Sequence, residues 1–220
     1  MPKGFITLLF SFDYNTRGGY TMTEKEKMLS GKPYNALDSE LVAERKVSKN
    51  YTFEYNNLHP LDKESKVSVM KKLLGKAGEN FYINAPFRCD YGCNIFIGDN
   101  FYANYNCTIL DCAPVTIGNN VFFAPNVSLF TAGHPIHPEP RNAMLEYAFP
   151  ITIGNNVWIG GGAIINPNIT IGDNVVIGSG SVVTKDIPSN SVAVGNPCKV
   201  IKKITDEDKA YYFKNLKIDE

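Results

Sequence analysis

Aliphatic side chains recur at every sixth position through the C-terminal part of the chain. One uninterrupted series consists of Ile153, Ile159, Ile165, Ile171, Ile177 and Val183. An amphipathic helix repeats near every 3.6 residues and a half-buried strand repeats every second residue, so neither gives this spacing. A chain that turns a corner every six residues does give it, with three short strands in each coil of 18 residues. The pattern therefore predicts a solenoid of short strands.

The same spacing continues towards the N-terminus, with one long interruption. Earlier members of the series are Ile97, Ala103 and Ile109 and, after two extra residues, Ile117, Phe123 and Leu129. The next member is due at position 135, but the pattern resumes only at Ile153, which indicates an insertion of 18 residues at about 135–152. We expect the aliphatic residues to point inward, where burial of one isoleucine contributes roughly 1.5–3 kcal/mol. An antiparallel β-sandwich is the alternative fold, but its hairpin turns do not keep a strict six-residue spacing.

Helical signals dominate the part of the chain that precedes the repeats. Thr23 and Glu26 are spaced as a capping box, Asp38 or Ser39 is a suitable cap for a second helix, and Asp62 for a third. Because a solenoid exposes its two ends, these helices are candidates for covering one of them. The chain is predicted to divide into four parts. Residues 1–21 are an extension without predicted structure, and residues 22–78 are a helical segment. Residues 79–203 form a β-helix with the inserted loop, and residues 204–220 are a C-terminal tail.

Composition and charge narrow the functional classes. Lys and Arg total 22, as do Asp and Glu, so the net charge is zero, which argues against nucleic acid as a partner. The five cysteines are odd in number and lack paired CxxC spacing, which favours neither a disulfide framework nor a zinc site and suggests a reducing cytoplasm. No apolar run is long enough for a membrane span. The apolar stretch at residues 5–10 is short and lacks a cleavage site, so a signal peptide is not expected.

Several segments resemble one family of enzymes. The segments are Phe87–Gly92, Asn100–Asn104, Thr131–Pro135, Pro150–Gly160 and Val183–Asp186. Single hexapeptides are weak signals, but this ordered set behind a helical N-terminus is similar to the galactoside and maltose O-acetyltransferases, which are hexapeptide-repeat acyltransferases. The resemblance runs from Met22 to near the C-terminus and implies a mainly β fold, a left-handed parallel β-helix with an N-terminal helical segment. The left hand follows only from the resemblance, because right-handed crossovers are the default.

The resemblance also implies an activity and its partners. Members of the family move an acetyl group from acetyl-CoA to a hydroxyl of a sugar, of the maltose or glucose type or of the galactoside type, without a metal. They form homotrimers with active sites between neighbouring subunits. We therefore expect acetyl-CoA as co-substrate, a sugar as acceptor, a homotrimeric assembly, and neither nucleic acid nor membrane as a partner.

His134 is the residue best suited to this chemistry. It lies where the periodic scaffold gives way to the insertion, and rigid scaffolds often present catalytic groups from such loops. A sugar hydroxyl is a poor nucleophile near pH 7, and a neutral imidazole can remove its proton while the oxygen attacks the thioester. Neither a GxSxG elbow nor a Cys–His motif is visible, so direct transfer is favoured over a covalent intermediate. A zinc site made of His59, His134 and His137 is not convincing, because His59 lies in the helical region.

Other residues of the acceptor site follow from the resemblance. Asn104 matches a substrate-contacting position, with a structural role at a coil corner as the alternative, and Tyr102 beside it is a candidate for lining the pocket. Asp90 matches the maltose-type enzymes, and Asp38 lies near the position of an acidic sugar ligand. Glu146, in the inserted loop, is either the acceptor for one ring N–H of the histidine or a solvated loop charge.

Residues that match CoA-binding positions of the family lie in the later coils. They are Gly161, Ser179, Thr184, Lys185, Lys199 and Lys202, with Trp158 as a further candidate. The family often has arginine where Lys199 and Lys202 stand, and a lysine attracts phosphate as a point charge, without the arginine fork. Trp158 is expected either to flank the CoA arm or to pack at the trimer interface.

One departure from the family pattern keeps other functions open. Cys112 stands where the galactoside enzymes have an aspartate, which puts a galactoside acceptor in doubt without affecting acyl transfer. The alternatives are an acetyltransferase for an antibiotic or serine, and a non-catalytic β-helix used for assembly. The N-terminal helices argue against the first alternative. The joint presence of His134, Asn104 and Thr184–Lys185 argues against the second.

Overall fold

A computed structural model describes residues 21–218 of the protein. Three α-helices come first, at Glu24–Leu29, Ser39–Asn57 and Lys63–Leu73. The capping box of Thr23 and Glu26 begins the first, and the side chains of Asp38 and Asp62 accept backbone N–H groups at the start of the second and third. No helix within this range is long and apolar enough to cross a membrane. The predicted extension, residues 1–21, lies outside the described residues except for its last residue.

The chain then winds into coils whose strands stack into three parallel sheets. The first sheet contains Lys76–Ala77, Ile95–Ile97, Val115–Ile117, Ile151–Ile153 and Ile169–Ile171. The second contains Tyr82–Ile83, Tyr102–Ala103, Phe122–Phe123, Trp158–Ile159, Val175–Ile177 and Ser191–Val194, and the antiparallel strand Lys199–Lys203 ends it. The third contains Phe87–Cys89, Cys107–Leu110, Ser128–Phe130, Ile164–Ile165 and Val182–Val183. A 3-10 helix, Asp206–Ala210, and a hairpin of Tyr211–Phe213 with Leu216–Lys217 complete the described chain.

The strand register confirms the six-residue period. Ile153 pairs with Ile171, Ile159 with Ile177, and Ile165 with Val183, so one coil takes 18 residues. All these side chains are buried and belong to one continuous core. The residues beside them point outward because side chains alternate along a strand. Each coil therefore repeats the packing of the coil below it.

Some coils depart from the 18-residue length. Ala77 pairs with Ile97 and Ile97 with Ile117, so two successive coils take 20 residues. In both coils the extra residues lie at the corner between the third and the first sheet. The last turn is shorter, because Ile177 pairs with Ala193 after 16 residues. The sequence predicted one pair of extra residues but not the other, nor the short last turn.

The three corners of the coils form three edges of the solenoid. The asparagine edge, between the first and second sheets, carries Asn100, Asn120, Asn156, Asn174 and Asn190, each with positive φ. Their side-chain amides hydrogen-bond from coil to coil, for example from Asn156 Nδ2 to Asn174 Oδ1 at 3.0 Å. The glycine edge, between the second and third sheets, includes Gly160–Gly162 and Gly178–Gly180. The loop edge, between the third and first sheets, carries the insertion.

The second and third helices cover the N-terminal end of the solenoid. Tyr55 and Met70 from these helices are buried in the same core as the coil residues. Asn56 donates a hydrogen bond to the Phe87 carbonyl and accepts one from the Phe87 N–H. A helix side chain thus satisfies backbone groups that would otherwise lie at an open sheet edge.

The asparagine edge gives a prediction about stability. Asn156→Ala should lower the free energy of unfolding by about 1–2 kcal/mol, because alanine at positive φ is strained and two side-chain hydrogen bonds are lost. Asn156→Gly should cost less, because glycine accepts this φ and loses only the hydrogen bonds. Denaturant unfolding of both variants checks the order. A glycine variant that is less stable than the alanine variant would contradict it.

Candidate active site

The insertion is an ordered structure held by the N-terminal segment. The chain leaves the coil after Phe130 and returns at Ile151, which pairs with Val115 at a separation of 36 residues, or two periods. Within the insertion, Ala132–Gly133 pairs antiparallel with Leu145–Ala148, and the short helix Pro138–Asn142 lies between them. The other side of Leu145–Ala148 pairs with Tyr34–Asn35, which follows the first helix. The sequence predicted the length of the insertion but not this three-stranded sheet.

A cavity of about 290 Å3 opens at the loop edge, between the coils and the insertion. Its lining comprises Asp90, Leu110, Cys112, Phe130, Ala132, Gly133, His134 and Glu146. Three residues predicted for the site, Asp90, His134 and Glu146, therefore share one cavity. Leu110 and Phe130 supply apolar surface, and the sequence analysis did not identify them, because their outward positions in a strand carry no distinctive signal.

His134 stands at the exposed side of the cavity beside an acidic residue. Its Nε2 lies 3.9 Å from Glu146 Oε1, and half of the imidazole surface is exposed while Glu146 is mostly covered. The other oxygen of Glu146, Oε2, accepts a hydrogen bond of 2.7 Å from the Tyr34 hydroxyl. The imidazole is thus open to a ligand on one side and faces a fixed carboxylate on the other.

Asp90 and Cys112 form the inner wall of the cavity. The Cys112 thiol donates to Asp90 Oδ2 at 3.5 Å. Burial raises the pKa of the Asp90 carboxyl above its usual range, although the Cys112 hydrogen bond and the Arg45 charge oppose that shift. Burial also raises the pKa of the Cys112 thiol, which therefore stays protonated near neutral pH. Because the one S–H of Cys112 is already donated to Asp90, the wall offers mainly the Asp90 carboxylate oxygens, as acceptors, to a hydroxylated ligand.

Asp111 supports this wall from inside the solenoid. Its carboxylate is fully buried and accepts backbone N–H groups from Asp90, Tyr91 and Asn94. These bonds hold the corner that contains the extra residues of one coil. Burial raises the pKa of Asp111 to about 6, against the opposing effect of the hydrogen bonds. No motif in the sequence marks Asp111, and the two extra residues beside it are the available signal.

Asn104 and Tyr102 lie on a different part of the surface. Asn104 follows strand Tyr102–Ala103 at the glycine edge, and its Oδ1 accepts the Tyr105 N–H at 2.8 Å. Seven residues at about 3.3 Å each separate Asn104 from Asp111, so the two edges are roughly 20 Å apart. Tyr102 points outward from the second sheet, where its ring stacks on Tyr82 with 6.1 Å between ring centroids. Asn104 is not among the residues that line the cavity of His134.

Asp38 serves as a helix cap in this structure. Its side chain accepts the Glu40 N–H at 3.0 Å, which satisfies a free donor of the first turn. Arg45, about two helix turns further on, donates to the Tyr91 hydroxyl at 2.5 Å and to the Ala36 carbonyl. These bonds link the second helix to the corner beside Asp90.

The residues that match CoA-binding positions are divided between the loop edge, the glycine edge and the second sheet. Thr184 and Lys185 are exposed at the loop edge, two coils beyond the coil that carries the insertion. Gly161 and Ser179 lie at the glycine edge, in successive coils. Strand Lys199–Lys203 carries the two remaining lysines, and Lys202 forms an ion pair with Asp208.

Trp158 belongs to an exposed aromatic series on the second sheet. Register places its neighbours in the lower coils at Phe122, Tyr102 and Tyr82. Half of the indole surface is exposed, as is half of the Phe122 ring. The position therefore continues a series of large rings on the outer face of this sheet.

The described residues contain no group of three or more His, Cys, Asp and Glu side chains that could hold a metal ion. Their five cysteines are all free thiols. The cavity therefore offers an imidazole, two carboxylates and a thiol for chemistry or for binding.

The buried carboxylate gives a prediction about pH. Between pH 4 and 6 the folded protein holds a proton on Asp111 that the unfolded chain has lost, so raising the pH through this window destabilises the wild type. Asp111→Asn removes this titration, so its stability relative to the wild type should improve by roughly 1–3 kcal/mol from pH 4 to pH 6. Unfolding in denaturant at several pH values measures the difference. Asp173→Asn, at an exposed corner, is the control for the loss of one carboxylate. A stability of Asp111→Asn relative to the wild type that does not change with pH would contradict the prediction.

Comparison with known proteins covers most of the chain. A family model described as the maltose acetyltransferase hexapeptide capping motif matches residues 27–78. A second, described as bacterial transferase hexapeptide with six repeats, matches residues 150–185. The first covers the helical segment and the second covers the coils that follow the insertion.

Three known proteins are similar over most of their length. Galactoside O-acetyltransferase of Escherichia coli is 50% identical over 90% of this chain and 98% of its own. The structure of a maltose O-acetyltransferase from Clostridium difficile is 56% identical, with a TM-score of 0.83 over 84% of this chain and 99% of that one. The structure of a galactoside acetyltransferase in complex with coenzyme A is 50% identical, with a TM-score of 0.88 over 90% and 99%.

These similarities confirm the predicted family and the predicted fold, a left-handed parallel β-helix with an N-terminal helical segment. Because the sequence identity extends over nearly the full length of these relatives, it shows that both the helical segment and the coils share a common descent with them. The chain belongs to the galactoside and maltose O-acetyltransferase family of hexapeptide-repeat acyltransferases.

Proposed function

We propose that this protein is an acetyl-CoA-dependent O-acetyltransferase that moves an acetyl group to a hydroxyl of a sugar. The observation that carries the proposal is a cavity containing His134 in a chain about half identical to named galactoside and maltose O-acetyltransferases. One of these relatives is described in complex with coenzyme A, which supports acetyl-CoA as the co-substrate.

His134 acts as the general base in the proposed reaction. One imidazole nitrogen accepts the proton of the sugar hydroxyl while that oxygen attacks the carbonyl carbon of the thioester. The bond between carbonyl carbon and sulfur then breaks, and the imidazole passes the proton to the CoA sulfur. The products are an acetyl ester and a free CoA thiol. Glu146 Oε1 lies 3.9 Å from Nε2 of His134, and the carboxylate keeps the imidazole in orientation from that side while the other ring nitrogen accepts the proton.

Direct transfer fits the cavity better than a covalent acetyl-enzyme. Cys112 is the nucleophile that a covalent route would use, since it lines the cavity. Burial raises the pKa of this thiol, so little thiolate is present near neutral pH, and the thiolate is the reactive form. The imidazole instead has an exposed surface on which two substrates can meet.

The acceptor site suits a small hydroxylated ring. A cavity of about 290 Å3 is at the lower end of the range for ligand pockets, which favours one sugar ring inside and any further unit outside. Asp90 accepts hydrogen bonds from hydroxyl groups, and Leu110 and Phe130 contact the C–H face of the ring. Asp38 contributes from the neighbouring helix start only if a ligand displaces its capping bond to Glu40.

The active site is completed between two subunits of a homotrimer. Asn104 and His134 lie on edges roughly 20 Å apart in one chain, which is too far for one small acceptor to contact both. A neighbouring copy that presents its glycine edge to this loop edge brings the two residues together. The exposed rings of Tyr82, Phe122 and Trp158, with the half-buried ring of Tyr102 among them, give the second sheet an apolar surface suited to subunit contact.

Acetyl-CoA lies along the same junction between two subunits, where the loop edge of one meets the glycine edge of its neighbour. Thr184 and Lys185 come from the loop edge of one subunit, and Gly161 and Ser179 from the glycine edge of its neighbour. Lys199 and Lys202 attract the phosphates, although Lys202 must exchange its ion pair with Asp208. Trp158, on the face next to the glycine edge, covers part of the CoA arm or the contact itself. We place the reaction in the cytoplasm, where the five free thiols are stable.

Replacement of the proposed base tests the mechanism. His134→Asn should lower kcat by about 10²–10⁴-fold, because a general base contributes that much, with little change in the KM for acetyl-CoA. Thiol release from acetyl-CoA, measured with glucose, maltose, galactosides and lactose, gives both the rate and the acceptor class. His137→Asn is the matched control, because this neighbour only caps the helix Pro138–Asn142 and asparagine caps as well. A His134→Asn enzyme at wild-type rate would overturn the mechanism.

The same assay separates the competing functions. If antibiotics or serine stimulate thiol release and sugars do not, the acceptor is one of those compounds and not a sugar. No release with any acceptor would favour a non-catalytic assembly role for the β-helix.

Subunit mixing tests the shared site. His134→Asn and Asn104→Ala should each be nearly inactive alone. When the two variants are unfolded together, refolded and reassembled in equal amounts, roughly a quarter of the junctions combine an intact His134 with an intact Asn104, so activity should return to that level. Mass determination of the assembly accompanies the assay. A trimer that regains no activity on mixing would mean that His134 and Asn104 do not share a site.

A further inference from the structure

Tyr34 connects the N-terminal helical segment to the proposed base. Its side chain is fully buried, and its hydroxyl donates a hydrogen bond of 2.7 Å to Glu146 Oε2. The other oxygen of Glu146 faces His134 Nε2 at 3.9 Å. The three side chains therefore form a series from the interior to the exposed imidazole, although Tyr34 and Glu146 are 112 residues apart.

Backbone pairing fixes the two ends of this series relative to each other. Tyr34 is the register partner of Glu146 in the antiparallel pair of Tyr34–Asn35 with Leu145–Ala148. The next strand of that small sheet, Ala132–Gly133, leads directly into His134. The N-terminal segment thus sets the position of the strand that carries Glu146 and, through it, the strand that precedes the base.

Packing around the Tyr34 ring ties it to the inner wall of the cavity. Tyr34 belongs to a small buried cluster, separate from the main core, that also includes Met28, Leu41, Cys112 and Ala148. Burial keeps the phenol protonated by raising its pKa, so Tyr34 acts only as a donor towards the carboxylate. A ring fixed on all sides leaves its hydroxyl little freedom to move.

A carboxylate on a partly exposed loop strand can rotate about its side-chain bonds. A short hydrogen bond to one oxygen removes that freedom and leaves the other oxygen directed at the imidazole. Nε2 of the imidazole faces this oxygen at 3.9 Å, which leaves Nδ1 to accept the hydroxyl proton in the proposed reaction. Geometry of this kind is supplied by groups that do not touch the substrate.

We infer that Tyr34 is a positioning residue for acetyl transfer, which acts by holding Glu146 in the orientation that aligns His134. The inference rests on the proposed role of His134 as general base. It also gives the helical segment a second task besides covering the end of the solenoid, because one of its residues sets the geometry of the reaction.

Removal of the single hydroxyl tests the inference. Tyr34→Phe keeps the buried ring and should lower kcat about tenfold, a fraction of what the base itself contributes, while the KM for acetyl-CoA stays within about twofold. Tyr55→Phe is the matched control, because Tyr55 is also buried in the helical segment and donates its hydroxyl to a carbonyl, that of Ile83, away from the cavity. Thermal unfolding of both variants measures the loss of stability. A wild-type kcat for Tyr34→Phe, or an equal fall for Tyr55→Phe, would overturn the inference.

A double-mutant cycle separates positioning from general destabilisation. Glu146→Gln should lower kcat at least as much as Tyr34→Phe, and the double variant should be no slower than Glu146→Gln alone within about twofold, because the hydroxyl acts through that carboxylate. Multiplicative effects would mean that Tyr34 does not act through Glu146.

His134→Asn keeps the role of Tyr34 and the role of His134 apart as hypotheses. If it is inactive and Tyr34→Phe is not impaired, only the present inference fails; if it keeps the wild-type rate, the proposed role of His134 as general base fails.

Discussion

Contact between each inward aliphatic side chain and its equivalent in the next coil holds the molecule in register. Ile153 lies against Ile171 and Ile159 against Ile177, and a slip of one residue would turn every such pair outward. The corners reinforce this register, because asparagine with positive φ hydrogen-bonds to the same residue of the neighbouring coil. The corners of successive coils therefore align into three straight edges, and the position of a residue within its coil decides on which edge it lies.

The scaffold tolerates a long insertion because the register on either side does not depend on it. Ile151 pairs with Val115 as though the intervening segment were absent, so the inserted residues can form a structure of their own. That structure is completed by Tyr34–Asn35 rather than by the coils. Antiparallel pairing and the small cluster around Tyr34 supply the order that the solenoid cannot give to a segment outside its coils.

Charge is distributed unevenly across the resulting site. Asp111 is buried beneath the wall, where three backbone N–H groups replace water, whereas Asp90 and Glu146 border the cavity. The histidine beside them is half exposed, whereas Glu146 is mostly covered. Asn104, Gly161 and Ser179 stand on another edge, which is the physical reason for proposing that neighbouring copies complete each other's sites.

The sequence by itself determined the solenoid, the length of its interruption and the family, because a six-residue period is imposed locally and recurs in every coil. It also brought Asp90 and His134 forward as candidate site residues, through short motifs that resemble those of the family, and Glu146 through its place in the inserted loop. Only the tertiary structure decided which groups meet. The pairing of Tyr34 with Glu146 and the burial of Asp111 depend on contacts between distant segments, and such contacts leave no periodic trace in the chain. For the same reason the separation of Asn104 from His134 could not be read from spacing, since it depends on how the corners align in three dimensions.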